Sequence, residues 1–193
     1  HSLVSAPELH RGRLRHHGDR DRPAGLVRHD VLAFDLPLPG ESPVVQRQAL
    51  GEVCIILFRA HYLVANQFDF AAYEGFVWDA SQYPDINELY VVSDLLITDY
   101  SSVFFDYANL KRPILFYMYD LAAYRDDIRG FYLDLSELPG PIVETEEALI
   151  QAIPQALEGD AYDEKYQRFH ARFNALDDGH ASERVVKRLL ETK

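Results

Sequence analysis

The sequence predicts an α/β fold, a parallel sheet covered by helices on both faces, and three observations lead there. Apolar, β-branched runs of about four to seven residues alternate along the chain with segments of helical periodicity. Several of these runs are apolar throughout, as strands buried on both faces must be. In Leu95-Leu-Ile-Thr-Asp-Tyr-Ser-Ser102 a buried-strand pattern also passes through a tight turn into a hydroxyl-rich helix start. That order is the strand–turn–helix unit from which doubly wound sheets are built.

The elements follow in order. His1 to Asp30 shows neither periodicity, carries five of the eight histidines, and has six Arg against four acidic residues. It is expected to be disordered or foreign to the fold. A metal site from His10, His16, His17 and His29 fits no ligand spacing. The single domain is expected over residues 31–193. Pro37, Pro39, Gly40 and Pro43 make an irregular approach, and Val44 to Leu50 has the pattern of a short helix. Glu52 to Phe58 and Phe76 to Ala80 read as strands. Asp85-Ile-Asn-Glu88 has the form of a capping box opening a helix that ends near Ser93. Leu95 to Thr98 is a strand, Ser102 to Leu110 a helix, and Ile114 to Tyr117 a strand after Pro113. Leu121 to Ile128 is a helix, followed by Phe131 to Leu133 and a turn at Pro139-Gly-Pro141. Thr145, with Glu146 and Glu147 in the first turn, opens a helix to about Leu157 that Pro154 is expected to kink or shorten. Tyr162 to Phe173 and Ala181 to Leu190 complete the helices.

Composition narrows the function. The formal charge of −12 argues against nucleic-acid binding and against a basic membrane-surface patch. The first 30 residues hold a net of +2, which leaves −14 on the remainder. Cys54, the single cysteine, lies in the apolar run Val53 to Leu57 and reads as a buried thiol. No run approaches the ~20 apolar residues of a membrane span, and no signal-peptide pattern is present, which points to the cytosol. A dinucleotide site is disfavoured because no Gly-x-Gly-x-x-Gly follows a strand.

Ligands of such sheets bind beyond the carboxyl ends of the strands. His61, Ser81 to Tyr83, Asp99 to Ser102 and the Tyr119 to Arg129 region all fall there. Ser101 and Ser102 offer two hydroxyls beside the unpaired amides of a helix start, so they read either as phosphate ligands or as a plain N-cap. Asp99 would repel a phosphate and is expected to bind a ribose hydroxyl or hold the turn. His61 can change charge near neutrality and can serve a leaving phosphate or pack as a loop residue. Arg59 can reach the same phosphates or make an ion pair. Glu88 can bind ribose, although the capping box accounts for it. Asp106 lies one turn into the helix, with its role open. Arg125 and Arg129 bracket Asp126 and Asp127, so pairing among them competes with ligand binding.

Ile97-Thr-Asp-Tyr-Ser-Ser102, Phe105-Asp-Tyr107, Lys111-Arg-Pro-Ile114 and Arg129-Gly-Phe-Tyr132 closely resemble the CDP-glycerol glycerophosphotransferases, the teichoic-acid primases and polymerases of Gram-positive cell walls. Phe58-Arg-Ala-His61, Tyr83 to Tyr90 and Asp177-Asp-Gly179 with Ala181-Ser182 are similar to the same family, so the likeness runs from about Gly51 to Leu190. The resemblance implies the Rossmann-like carboxyl-terminal half of a GT-B fold, which binds the nucleotide donor. It implies transfer of glycerol phosphate from CDP-glycerol to a glycerophosphate polymer or lipid-linked acceptor, with no cofactor and no metal in the site. It makes His61 the catalytic candidate. Arg59, Asp99, Ser101, Ser102 and Arg129 become candidates for the donor, with Glu88 and Asp106 beside them. The acceptor site and a second histidine belong to the amino-terminal half in that family. A cytosolic enzyme peripheral to the inner face of the membrane is the implied setting. Another GT-B transferase with a CMP- or UDP-linked donor, or a non-catalytic remnant, stays open as an alternative.

Overall fold

The computed structural model describes residues 30–35, 54–59, 70–123 and 133–191. Among these residues a six-stranded sheet is formed by β1 (Asp30–Asp35), β2 (Cys54–Phe58), β3 (Val77–Asp79), β4 (Leu95–Thr98), β5 (Ile114–Tyr117) and β6 (Ile142–Val143). The spatial order is β3-β2-β1-β4-β5-β6, and every pairing is parallel. The helices are α1 (Ile86–Val92), α2 (Val103–Tyr107), α3 (Leu121–Ala123), α4 (Glu146–Glu158), α5 (Glu164–Phe173) and α6 (Ala181–Glu191). Short 3-10 turns cover Phe70–Tyr73, Ala108–Leu110 and Leu135–Glu137.

Side-chain alternation explains why both faces of this sheet must be covered. Leu95 and Ile97 of β4 pack with Leu115 and Tyr117 of β5 against Leu149 and Ile153 of α4. Leu96, Ile114 and Phe116 point the other way, into Phe104, Tyr107, Tyr166 and Phe169 of α2 and α5. Leu95, Leu96 and Ile97 are at most 1% exposed, and each such side chain contributes about 1.5–3 kcal/mol through burial. Cys54 is buried on β2, as expected.

The expected α/β class with a parallel sheet is what the chain forms, and β4 and β5 have the anticipated bounds. Other elements differ. β1 was not anticipated as a strand, yet it lies between β2 and β4 and begins at Asp30, the last residue of the segment set apart as non-native. β6 was likewise not anticipated, and it directly follows the turn expected at Pro139-Gly-Pro141. The helix expected over Ser102 to Leu110 is a five-residue α2 continued by a 3-10 turn that ends at Lys111 in the left-handed region (φ 55°). α5 starts at Glu164 rather than Tyr162 because the Asp163 carboxylate caps it, accepting from the Tyr166 amide at 2.8 Å. α4 runs through Pro154 to Glu158, so the proline does not shorten it. The expected Val44 to Leu50 helix, the His1 to His29 segment and Leu121 to Ile128 beyond Ala123 lie outside the described residues.

Candidate donor-binding site

Strand order decides where a ligand can sit. β1, β2 and β3 proceed in one direction across the sheet, and β4, β5 and β6 proceed in the other. The reversal falls between β1 and β4, and ligands of open α/β sheets bind in the crevice beyond the carboxyl ends at such a point. Asp35 pairs with Thr98 there, so the loop Asp99 to Ser102 leaves the sheet at the crevice itself. Phe58 pairs with Phe34 on the other side of β1. Arg59 therefore emerges two strand spacings from that loop, ~10 Å across the sheet.

The loop after β4 is shaped by its own side chains. The Asp99 carboxylate accepts from the Ser101 amide at 3.0 Å, which folds the turn. Of the two roles anticipated for Asp99, turn formation is the one with a bond to show. Ser102 occupies the N-cap position of α2, yet its backbone is helical (φ −71°, ψ −1°) and its hydroxyl makes no capping bond. A capping serine needs an extended backbone to turn its oxygen onto the N2 or N3 amide. The plain N-cap reading thus fails, and an exposed hydroxyl stands beside the first amides of α2. Ser101 is half-buried, and Asp106 is exposed in the first turn of α2.

The neighbouring loops are tied to each other through tyrosines. Arg59 donates from its guanidinium to the Tyr83 carbonyl at 2.9 Å, which joins the end of β2 to the loop after β3. The Tyr83 hydroxyl donates to Glu88, and that bond is the first cause of a raised phenol pKa. Asp85 caps α1 by accepting from the Asn87 amide at 2.9 Å. The capping box is therefore only half formed, since Glu88 turns to Tyr83 instead of back to the cap. On the β5 side, the Tyr100 hydroxyl donates to Asp120 at 2.8 Å. Burial, followed by that bond, raises the Tyr100 pKa far above the ordinary phenol value, so the hydroxyl stays protonated. Tyr119 stands 38% exposed, its pKa raised by burial and by Asp120 and Asp99.

The structure brings Arg59, Asp99, Ser101 and Ser102 to one edge of the sheet, with Glu88 held near Arg59 through Tyr83. His61 and Arg129 lie outside the described residues. Tyr83, Tyr100 and Asp120 were not singled out individually from sequence. Their signals were position in loops beyond strand ends and, for Tyr83 and Tyr100, the family-like segments. The bonds Arg59 to Tyr83 and Tyr100 to Asp120 join residues 24 and 20 apart and leave no local trace.

A family model described as CDP-Glycerol:Poly(glycerophosphate) glycerophosphotransferase matches residues 41–191. The chain belongs to this family. A teichoic acid poly(glycerol phosphate) polymerase of Bacillus subtilis is 51% identical over 149 residues, covering 76% of this chain and 20% of that protein. A teichoic acid glycerol-phosphate transferase of Staphylococcus aureus is 49% identical over 147 residues, covering 75% and 37%. Among solved structures, the wall teichoic acid polymerase TagF with CDPG superposes with a TM-score of 0.73 at 36% identity, covering 85% of this chain and 42% of that one. The chain thus spans about a fifth to two fifths of the length of these relatives.

Proposed function

We propose that this chain supplies the donor-binding part of a glycerophosphotransferase that moves glycerol phosphate from CDP-glycerol to a glycerophosphate acceptor in teichoic-acid synthesis. The observation that carries the reading is the loop Asp99 to Ser102. It lies at the reversal of strand order, and the Ser102 hydroxyl is exposed and unused by its helix. Family membership supplies the donor. A terminal hydroxyl of the acceptor attacks the β-phosphorus of CDP-glycerol, a new P–O bond forms, the bond to the bridging oxygen breaks, and CMP leaves. Ser101, Ser102 and the α2 amides donate to the diphosphate, and donors fixed before reaction stabilise charge that grows on the leaving phosphate. Arg59, whose guanidinium carries five N–H donors, retains capacity for the phosphates beyond its bond to Tyr83. His61 is assigned proton transfer to the leaving group and Arg129 a phosphate contact, both by family resemblance.

The domain, expected over residues 31–193, is assigned from Asp30, where β1 begins, with 1–29 outside it. The complete enzyme is assigned to the cytoplasmic face of the membrane, where a lipid-linked acceptor is reached. Among the described residues no helix is long and apolar enough to cross a membrane.

Titration of the chain with CDP-glycerol, CMP, UMP and NAD by calorimetry or ligand-observed NMR tests the reading. CDP-glycerol and CMP should bind more tightly than the other two. An open half-site holds the dissociation constant no lower than about 1 mM. Equal binding of all four, or none, refutes it.

A further inference from the structure

The loops after β4 and β5 leave adjacent parallel strands, and the Tyr100 hydroxyl ties them by donating to Asp120 at 2.8 Å. The Tyr100 ring packs on the same core face as Phe116, Met118 and Leu121, so its base is fixed by apolar contact while its tip reaches the next loop. Ser101 and Ser102 follow Tyr100 directly. Thr98 is fully buried and its hydroxyl has no hydrogen-bond partner. The loop is therefore held from within by Asp99 at the Ser101 amide and from the side by Asp120 at Tyr100.

We propose that the Tyr100–Asp120 hydrogen bond positions the two serines for the donor's diphosphate by locking their loop to the end of β5. The inference rests on the donor-binding reading above. Tyr100 and Asp120 act here as positioning residues, through the loop and not by touching the ligand. A loop that samples several placements binds with an affinity reduced by the fraction of time spent in the competent one. Loss of the tie should therefore weaken phosphate-containing ligands and leave the bare nucleoside unaffected.

The test compares Tyr100→Phe, Asp120→Asn, Asp120→Ala and the Tyr100→Phe/Asp120→Ala pair in the full chain. Each is titrated with CDP-glycerol, CMP and cytidine by ligand-observed NMR, with the thermal midpoint measured alongside. Tyr100→Phe and Asp120→Ala should each weaken CDP-glycerol and CMP about three- to tenfold, the span of one net hydrogen bond, with cytidine unchanged. The double variant should be no weaker than either single one. Asp120→Asn keeps an acceptor for the phenol and should stay within about twofold of the unaltered chain. Should Tyr100→Phe fail to fold, Asp120→Ala reads the same bond from the acceptor side. Unchanged CDP-glycerol affinity in both, equal loss of cytidine, or Asp120→Asn as weak as Asp120→Ala overturns the inference alone. If the unaltered chain binds neither phosphate ligand, the donor reading falls and takes this inference with it.

Discussion

Replacing Ser102 by alanine separates ligand binding from stability, because the structure gives this serine no structural bond to lose. A capping serine contributes about 1 kcal/mol to its helix. Ser102 has helical dihedrals, no capping bond and an exposed side chain, so Ser102→Ala should change stability by less than about 0.5 kcal/mol. Its hydroxyl is instead assigned to a phosphate oxygen, and a hydrogen bond to a charged group is worth about 1.5–3 kcal/mol. The site is open to water, so the lower figure applies, and affinity for CDP-glycerol should fall about tenfold. Asp163→Ala provides the opposite case. Asp163 caps α5, whose Tyr166 hydroxyl bonds the Arg112 carbonyl just before β5, at the edge of the sheet away from the crevice. That variant should lose about 1 kcal/mol, a fall of roughly 2–4 °C in Tm, with donor affinity intact. Calorimetric titration and thermal unfolding of both proteins decide the matter. If Ser102→Ala lowers Tm as Asp163→Ala does while binding CDP-glycerol normally, Ser102 is a cap in solution and the reasoning fails.

Three further outcomes follow from packing. A methyl group at Gly140 would lie 1.9 Å from the Ile114 carbonyl oxygen of β5, whose backbone is fixed between β4 and β6. Gly140→Ala should therefore cost about 3 kcal/mol or more in urea unfolding, and a loss under about 1 kcal/mol would refute that account. The Asn174 amide is buried and donates to the Phe105 carbonyl at 2.8 Å and to Asn109 at 3.1 Å, joining the end of α5 to α2. Asn174→Ala should cost about 2 kcal/mol, measured the same way, and a neutral result would count against the anchor. Thr98→Val removes a buried hydroxyl that lacks a partner and should raise stability by about 1 kcal/mol; a lower Tm would show that the hydroxyl finds an acceptor in solution.

The parts of the fold legible in the sequence are those whose burial is written locally. β4 and β5 are apolar through their lengths because helices cover both faces, and their bounds could be read directly. Asp85, Thr145 and Asp163 illustrate the limits of reading caps. Asp85 and Thr145 were placed correctly at helix starts, whereas Asp163 was passed over and the helix begun at Tyr162. β1 was missed because Asp30-Val-Leu-Ala-Phe-Asp35 offers four apolar residues between aspartates, just ahead of a proline-rich stretch. Its strand character comes from pairing on both sides, with β2 and with β4. Without β1 the strand order, and so the crevice, could not be derived. In the candidate site, the placement of Ser101 and Ser102 at a helix start and the turn at Asp99 were legible from one short segment. The absence of a cap at Ser102 depends on a backbone angle, and the Tyr100–Asp120 tie on two loops 20 residues apart, so neither had a local signal.

The charge of the chain sharpens what this loop can contribute. A diphosphate approaching a protein of formal charge −12 meets repulsion, and Asp99 and Asp120 stand in or beside the very loop assigned to it. Both carboxylates accept bonds from that loop, one from the Ser101 amide and one from the Tyr100 hydroxyl. Their negative ends are thus spent on shaping the backbone that presents the serines. What the loop then offers a phosphate is neutral: two hydroxyls and the amides at the start of α2. Neutral donors fix direction and stabilise charge at short range, but they do not cancel the net charge of the diphosphate. Charge compensation must come from cationic groups, of which Arg59 is already oriented by the Tyr83 carbonyl and Arg129 and His61 are assigned by resemblance. This division predicts different salt responses for the two kinds of substitution. Ser102→Ala should weaken CDP-glycerol by the same factor at low and high salt, whereas Arg59→Gln should cost most at low salt and progressively less as ions screen the diphosphate. Equal salt dependence of the two variants in ligand-observed NMR titrations would show that the loop itself carries the charge compensation.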